Sequence, residues 1–81
     1  MQIWRIEKAK QEAGYRSNAS VYSLIRRGLW TQPVKIGLRS SGWPDVEVKK
    51  LIAARIAGCN EDQIRELVAR LHADRAAHFP V

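Results

Sequence analysis

The 81-residue sequence contains a single cysteine, Cys59. No intramolecular disulfide can form, and there is no second thiol with which to build a zinc site. A reducing, intracellular and cytoplasmic setting is therefore expected. No run approaches the ~18 apolar residues of a membrane span. The opening stretch MQIWRIEKAKQEAG also lacks the long apolar core of a signal peptide. Potential catalytic groups are equally scarce. Cys59 and His72 are the only obvious nucleophile and base, and no signature joins them. His72, near the acidic Asp74, reads as a surface residue, and the six-residue step from His72 to His78 is poor spacing for two ligands on one helical face. Catalysis, metal binding and a bound cofactor are not expected. Internal repeats and low-complexity segments are absent, as is the aromatic platform that single-stranded RNA binders tend to use.

Acidic residues are missing from the whole interval between Glu12 and Asp45. This gap explains the net charge of +6. Residues 1–43 carry eight basic residues (Arg5, Lys8, Lys10, Arg16, Arg26, Arg27, Lys35 and Arg39) against Glu7 and Glu12, whereas residues 44–81 carry six of each sign. A positive segment beside a neutral one is what a polyanion-binding face looks like in one dimension, although small basic proteins are common. The length allows one small domain, which buries only ~60% of its unfolded surface. A hydrophobic fraction of 46% is ordinary for a globular chain and argues against wholesale disorder.

The local patterns predict helices and one hairpin. Ile3–Ala13 has a loose three-to-four apolar spacing, with Gly14 as its stop. Gly-Tyr-Arg (14–16) makes a short turn, and Ser17 is a good N-cap for the helix NASVYSLIRR, which ends at Gly28. Val21, Leu24 and Ile25 share one face of that helix and should pack on the first. The other face carries Ala19, Ser20, Ser23, Arg26 and Arg27, with Asn18 and Tyr22 at its margins. Two short helices joined by a tight turn are the plan of a helix-turn-helix. After the connector LWTQP, Val34–Ile36 and Ser41–Trp43 are candidate strands turning through Gly37–Ser40. Pro44 suits the first turn of a third helix, which has Val48, Leu51 and Ile52 on its apolar stripe and stops at Gly58. Asn60 can cap a fourth helix, with Glu61 and Asp62 in its first turn. Its stripe of Ile64, Leu67, Val68 and Leu71 keeps helical period. Residues beyond about Ala76 read as a frayed tail.

The run SVYSLIRRGLWTQPVKIGLRSSGW resembles the AlpA family of small prophage-encoded transcriptional regulators, which are similar in fold to MerR-like winged-helix proteins and phage excisionases. The features that carry the resemblance are Tyr22, Leu24, Ile25, Arg26, Arg27 and Gly28, then Pro33-Val34-Lys35-Ile36-Gly37, Arg39, and Gly42-Trp43 leading into Glu47-Val48. They span about residues 3–57. The following IAARIAGCNEDQIRELVARLH looks like the C-terminal extension that some members carry. The turn GYRS is one residue longer than the commoner turn of the family, and Asn18 and Ala19 stand where members often have Arg and Ser. This departure bears on DNA sequence preference rather than on fold. The resemblance implies a winged helix-turn-helix protein of a prophage or other mobile element, binding DNA to control nearby genes or to assist excision.

The expected architecture is therefore mainly α with a small β-hairpin, about four helices plus a two-stranded wing. Residues 1–58 are expected to form the DNA-binding domain, and 59–81 a C-terminal helix that packs on it or mediates self-association. The helix 17–27 is expected to enter the major groove of double-stranded DNA. Ser17 lies at its cap; Asn18, Ala19, Ser20 and Ser23 lie nearest the base edges, flanked by Tyr22. Arg16, Arg26 and Arg27 would meet phosphates, and Lys35 and Arg39 on wing 33–43 would grip phosphate or the minor groove. Bland readings stand beside these: capping for Asn18, and helix-dipole compensation for Arg26 and Arg27. Trp43 is expected to anchor the wing in the core rather than stack on bases. A homodimer or cooperative assembly would extend the target. The alternatives are an excisionase-like directionality factor, or an anti-activator that binds another regulator protein.

Overall fold

The chain begins extended and turns helical only at Ile6. In a computed structural model that describes residues 1–77, the order is β1 (Ile3–Trp4), α1 (Ile6–Ala13), α2 (Asn18–Arg26), β2 (Val34–Lys35), β3 (Ser41–Pro44), α3 (Asp45–Ile56) and α4 (Glu61–Ala77). The expected mainly α fold, with four helices and a small hairpin, is present. The sheet, however, is three-stranded and antiparallel in the order β1-β3-β2, where two strands were expected.

The third strand takes the first residues that the apolar spacing assigned to helix. Ile3 pairs with Pro44 and Trp4 with Trp43. The physical cause is long-range. The Gln2 amide donates to Asp45 Oδ1 (3.0 Å) and the Asp45 amide donates back to the Gln2 carbonyl (2.8 Å). Arg5 then stays extended at the N-cap position. The Gln2 hydrogen bond holds the Asp45 carboxyl below the ordinary carboxylate value. Burial opposes this shift, while hydrogen bonding and charge from Lys49, and the Val46 amide, reinforce it. The strand can approach because residue 42 is glycine: a Cβ there would lie 2.7 Å from the Trp4 carbonyl oxygen and 2.8 Å from Ile3 Cγ2.

On the other side of β3, Val34 pairs with Gly42 and Lys35 with Ser41. The Ile36 amide donates to the Ser40 carbonyl (2.9 Å) and closes the turn. The helix ends follow local chemistry. Ser17 Oγ accepts from the Ser20 amide (3.2 Å). Asn60 and Gln63 exchange side-chain-to-backbone bonds of 2.8 and 2.9 Å, a capping box completed by an amide rather than by an acid. At the end of α2, Gly28 takes φ 75°. The Leu29 amide reaches back to the Leu24 carbonyl (2.8 Å) and the Gly28 amide to that of Ile25 (3.1 Å), a Schellman closure.

That closure drives Leu29 into the core, and the connector follows it. Leu29, Trp30 and Thr31 are all buried. Trp30 lies edge-on between Tyr15 (6.1 Å between centroids) and Trp43 (6.3 Å). Trp43, 1% exposed, donates its indole N–H to the Thr31 carbonyl (2.7 Å), so it ties the hairpin to the helices as expected. Ala9, Val21, Leu24, Val48, Leu51, Ile64, Val68 and Leu71 complete one cluster drawn from all four helices. The expected tail beyond Ala76 begins inside α4, which runs to Ala77; His78 lies outside the described residues.

Candidate nucleic-acid interface

Two surfaces carry the residues singled out from the sequence, and the buried connector joins them. The first is the outer face of α2. With Val21 and Leu24 committed to the core, helical geometry turns Asn18, Ala19, Tyr22 and Arg26 outward, and all four are exposed. Ser20 and Ser23 are half-buried along a shallow, open depression that Tyr15, Ala19, Arg26 and Arg27 also line. Ser17 Oγ lies 3.0 Å from Ser20 Oγ while capping the helix, so these two hydroxyls are already partly engaged. The face is small at its start and cationic at its end. A helix backbone bearing Ala and Ser can approach a ligand closely.

The second surface is the hairpin. Lys35 on β2 and Arg39 in the turn are both exposed. Between them Leu38, at 96% exposure, stands at the tip, with Ile36 half out of the protein. The tip of the hairpin is thus apolar and flanked by two cations.

These surfaces lie on a span with no acidic residue, although among the described residues Arg5, Lys10, Lys50, Arg55 and Arg70 are unpaired as well. Among the described residues, Arg16, Arg26, Lys35 and Arg39 make no ion pair and no side-chain hydrogen bond, and neither does the Asn18 amide. Arg27 differs: its guanidinium contacts Glu61 Oε2 at 2.7 Å, with both side chains about half exposed. It is shared between the α2 face and the start of α4. Sequence reasoning missed this acid, because nothing local to Glu61 indicates that it will fold against residue 27. Tyr15 was also missed, although its place in the turn beside Arg16 was the available signal.

The remaining candidates for chemistry serve other ends. His72 Nε2 accepts from the Gln32 backbone amide (3.0 Å). Cys59 is half-buried against the core. Among the described residues no three His, Cys, Asp or Glu side chains lie together as a metal site, and no helix is long and apolar enough to cross a membrane.

A family model described as "Prophage CP4-57 regulatory protein (AlpA)" matches residues 2–56, from the first strand through α3, and leaves α4 outside. No curated protein and no solved structure matches the chain.

Proposed function

We propose, because the chain belongs to the AlpA family of prophage regulatory proteins, that it is a sequence-specific double-stranded DNA-binding transcriptional regulator. In this reading α1 and α2 act as the helix-turn-helix, α2 lies in the major groove, and the hairpin β2–β3 is a wing on the neighbouring phosphates or minor groove. The observation that carries the reading is the acid-free span from Ala13 to Pro44, whose cations Arg16, Arg26, Lys35 and Arg39 stand exposed and unpaired among the described residues. Four cations left without partners on one span repel one another, and a polyanion relieves that repulsion.

The contacts divide by what they read. Asn18, at the first position of α2, presents an amide able to donate to and accept from adenine at once, a pairing worth roughly 1–3 kcal/mol of base discrimination. Ala19, Ser20 and Ser23 permit close approach, and Tyr22 flanks them. Arg16, Arg26 and the shared Arg27 meet phosphates and fix register without reading sequence. Lys35 and Arg39 hold the wing, with Leu38 against sugar and base edges. One nine-residue helix reads few base pairs, so paired half-sites are the expected arrangement of a target.

The test is selection from a random double-stranded pool with the wild-type protein, with Asn18→Ala, and with Lys35→Ala plus Arg39→Ala. A motif that changes with the helix variant and merely weakens with the wing variant is the expected result. Failure to enrich any sequence at low salt overturns the reading and directs attention to an acidic protein partner. If the recovered motif lies at an attachment site rather than beside a promoter, the same surfaces serve excision.

A further inference from the structure

α4 lies outside the family-matched residues, yet its side chains hold both ends of the connector between α2 and the hairpin. At the α2 end, Arg65 Nε donates to the Arg27 carbonyl (3.0 Å) while Glu61 pairs with the Arg27 guanidinium. Arg65 is itself steadied by Glu61 (3.5 Å) and Asp62 (3.2 Å). At the hairpin end, both backbone groups of Gln32 are taken. Its amide donates to His72 Nε2 (3.0 Å), and its carbonyl accepts from Arg75 Nη2 (2.6 Å). Arg75 is locked in turn to α3 by a two-point contact with the buried Glu47, Nε to Oε2 at 2.7 Å and Nη2 to Oε1 at 2.6 Å. Pro33 follows and has no amide to donate, so Gln32 supplies the last amide before β2 begins at Val34.

The apolar stripe of Ile64, Val68 and Leu71 already attaches α4 to the core. The grip on Gln32 is additional, and among the described residues neither of its backbone groups has another hydrogen-bond partner. We propose that α4 is a brace that sets where the hairpin stands relative to α2, with His72 and Arg75 as positioning residues. The proposal rests on the DNA-binding reading for its purpose: two contact surfaces on one duplex bind more tightly when their spacing is fixed beforehand, because less freedom is lost on binding.

The experiment compares wild type, His72→Ala, His72→Gln and the core control Val68→Ala. Backbone amide hydrogen exchange is read in the free protein and a hydroxyl-radical footprint on DNA. His72→Ala removes the acceptor, so the Ile36 amide that closes the hairpin turn should exchange about tenfold faster while Val21 and Leu24 are unchanged. His72→Gln, whose side-chain carbonyl can accept from Gln32, should restore much of the protection. Val68→Ala should speed Ile36 and Val21 together. On DNA, His72→Ala should lose the nucleotides protected by the hairpin and keep those protected by α2. Unchanged Ile36 exchange, or a rise in step with Val21, overturns the brace. A wild-type protein with no footprint overturns the DNA-binding reading instead, and the exchange data still decide the brace.

Discussion

Residues 13–44 and residues 45–77 treat charge in opposite ways. In the second region four of the six carboxylates have structural partners: Asp45 holds Gln2 and Lys49, Glu47 holds Arg75, and Glu61 and Asp62 hold Arg27 and Arg65. Asp45 and Glu47 are buried while doing so. In the first region no carboxylate exists, and among the described residues Arg27 alone of Arg16, Arg26, Arg27, Lys35 and Arg39 finds an ion-pair partner, one borrowed from α4. Most carboxylates of the second region help to hold the fold, whereas the first region has no carboxylate to compete with a ligand for its cations. Mutations in the two regions should therefore fail differently, one set in stability and the other in binding.

The largest effect should come from breaking the Glu47–Arg75 pair, in which the Glu47 side chain is 5% exposed. Removing one partner leaves the other charge buried, at roughly 3–5 kcal/mol. Arg75→Met should show this as a lower midpoint in urea unfolding, whereas Arg26→Ala should change stability by no more than about 0.5 kcal/mol. Equal losses from the two would erase the distinction between the regions.

Gly42→Ala comes next. The added methyl meets the backbone of β1, which cannot step aside as a side chain can, so a loss of about 1–3 kcal/mol is expected. Circular dichroism melting measures it, and an unchanged midpoint would contradict the close approach of β1 to Gly42.

Acid should act on the second region through Asp45. Its folded carboxyl titrates below the ordinary 3.8, so its contribution is complete above that value and is lost as pH falls through the lower folded value. The stability gap between wild type and Asp45→Asn should therefore narrow below about pH 4. A gap that stays constant from pH 6 to pH 3 would contradict the anchoring of the N-terminal strand by this carboxylate.

The smallest effect sharpens the boundary between the regions. Glu61→Gln frees Arg27 from an exposed pair worth at most about 1 kcal/mol. Folding should hardly change, while duplex affinity should rise by a few-fold. Weaker binding would mean that Glu61 positions Arg27 for phosphate rather than competing with it.

The two regions also differed in how legible they were in the sequence. The α2 face was readable because it is local: Ser17 caps, Gly28 terminates, and the spacing of Val21 and Leu24 fixes which residues turn outward. The α4 stripe was readable for the same reason. What escaped depends on partners far along the chain. Ile3 and Trp4 have helical spacing with their neighbours, yet pairing with Trp43 and Pro44 outcompetes it once Gly42 leaves room. Leu29-Trp30-Thr31 looked like a connector because it is short and follows a glycine. Its two large apolar residues were the signal that it belongs in the core. Glu47 stood among the features of the family resemblance, but its partner Arg75 lies twenty-eight positions away. The grip of His72 on a backbone amide leaves no trace in composition or period.

The central claim is that the exposed cations of the acid-free span, and not basic residues in general, carry DNA binding. The most direct measurement is the salt dependence of affinity for the selected duplex, by fluorescence anisotropy. It compares wild type, Lys35→Ala plus Arg39→Ala, and the control Lys50→Ala plus Arg55→Ala, whose cations are also exposed but lie on α3. The wing pair should lower the slope of log affinity against log salt by about 1.8, two phosphate contacts at ~0.9 each, and the α3 pair should leave it unchanged. Equal losses from both pairs would contradict the central claim, because binding would then follow net charge alone.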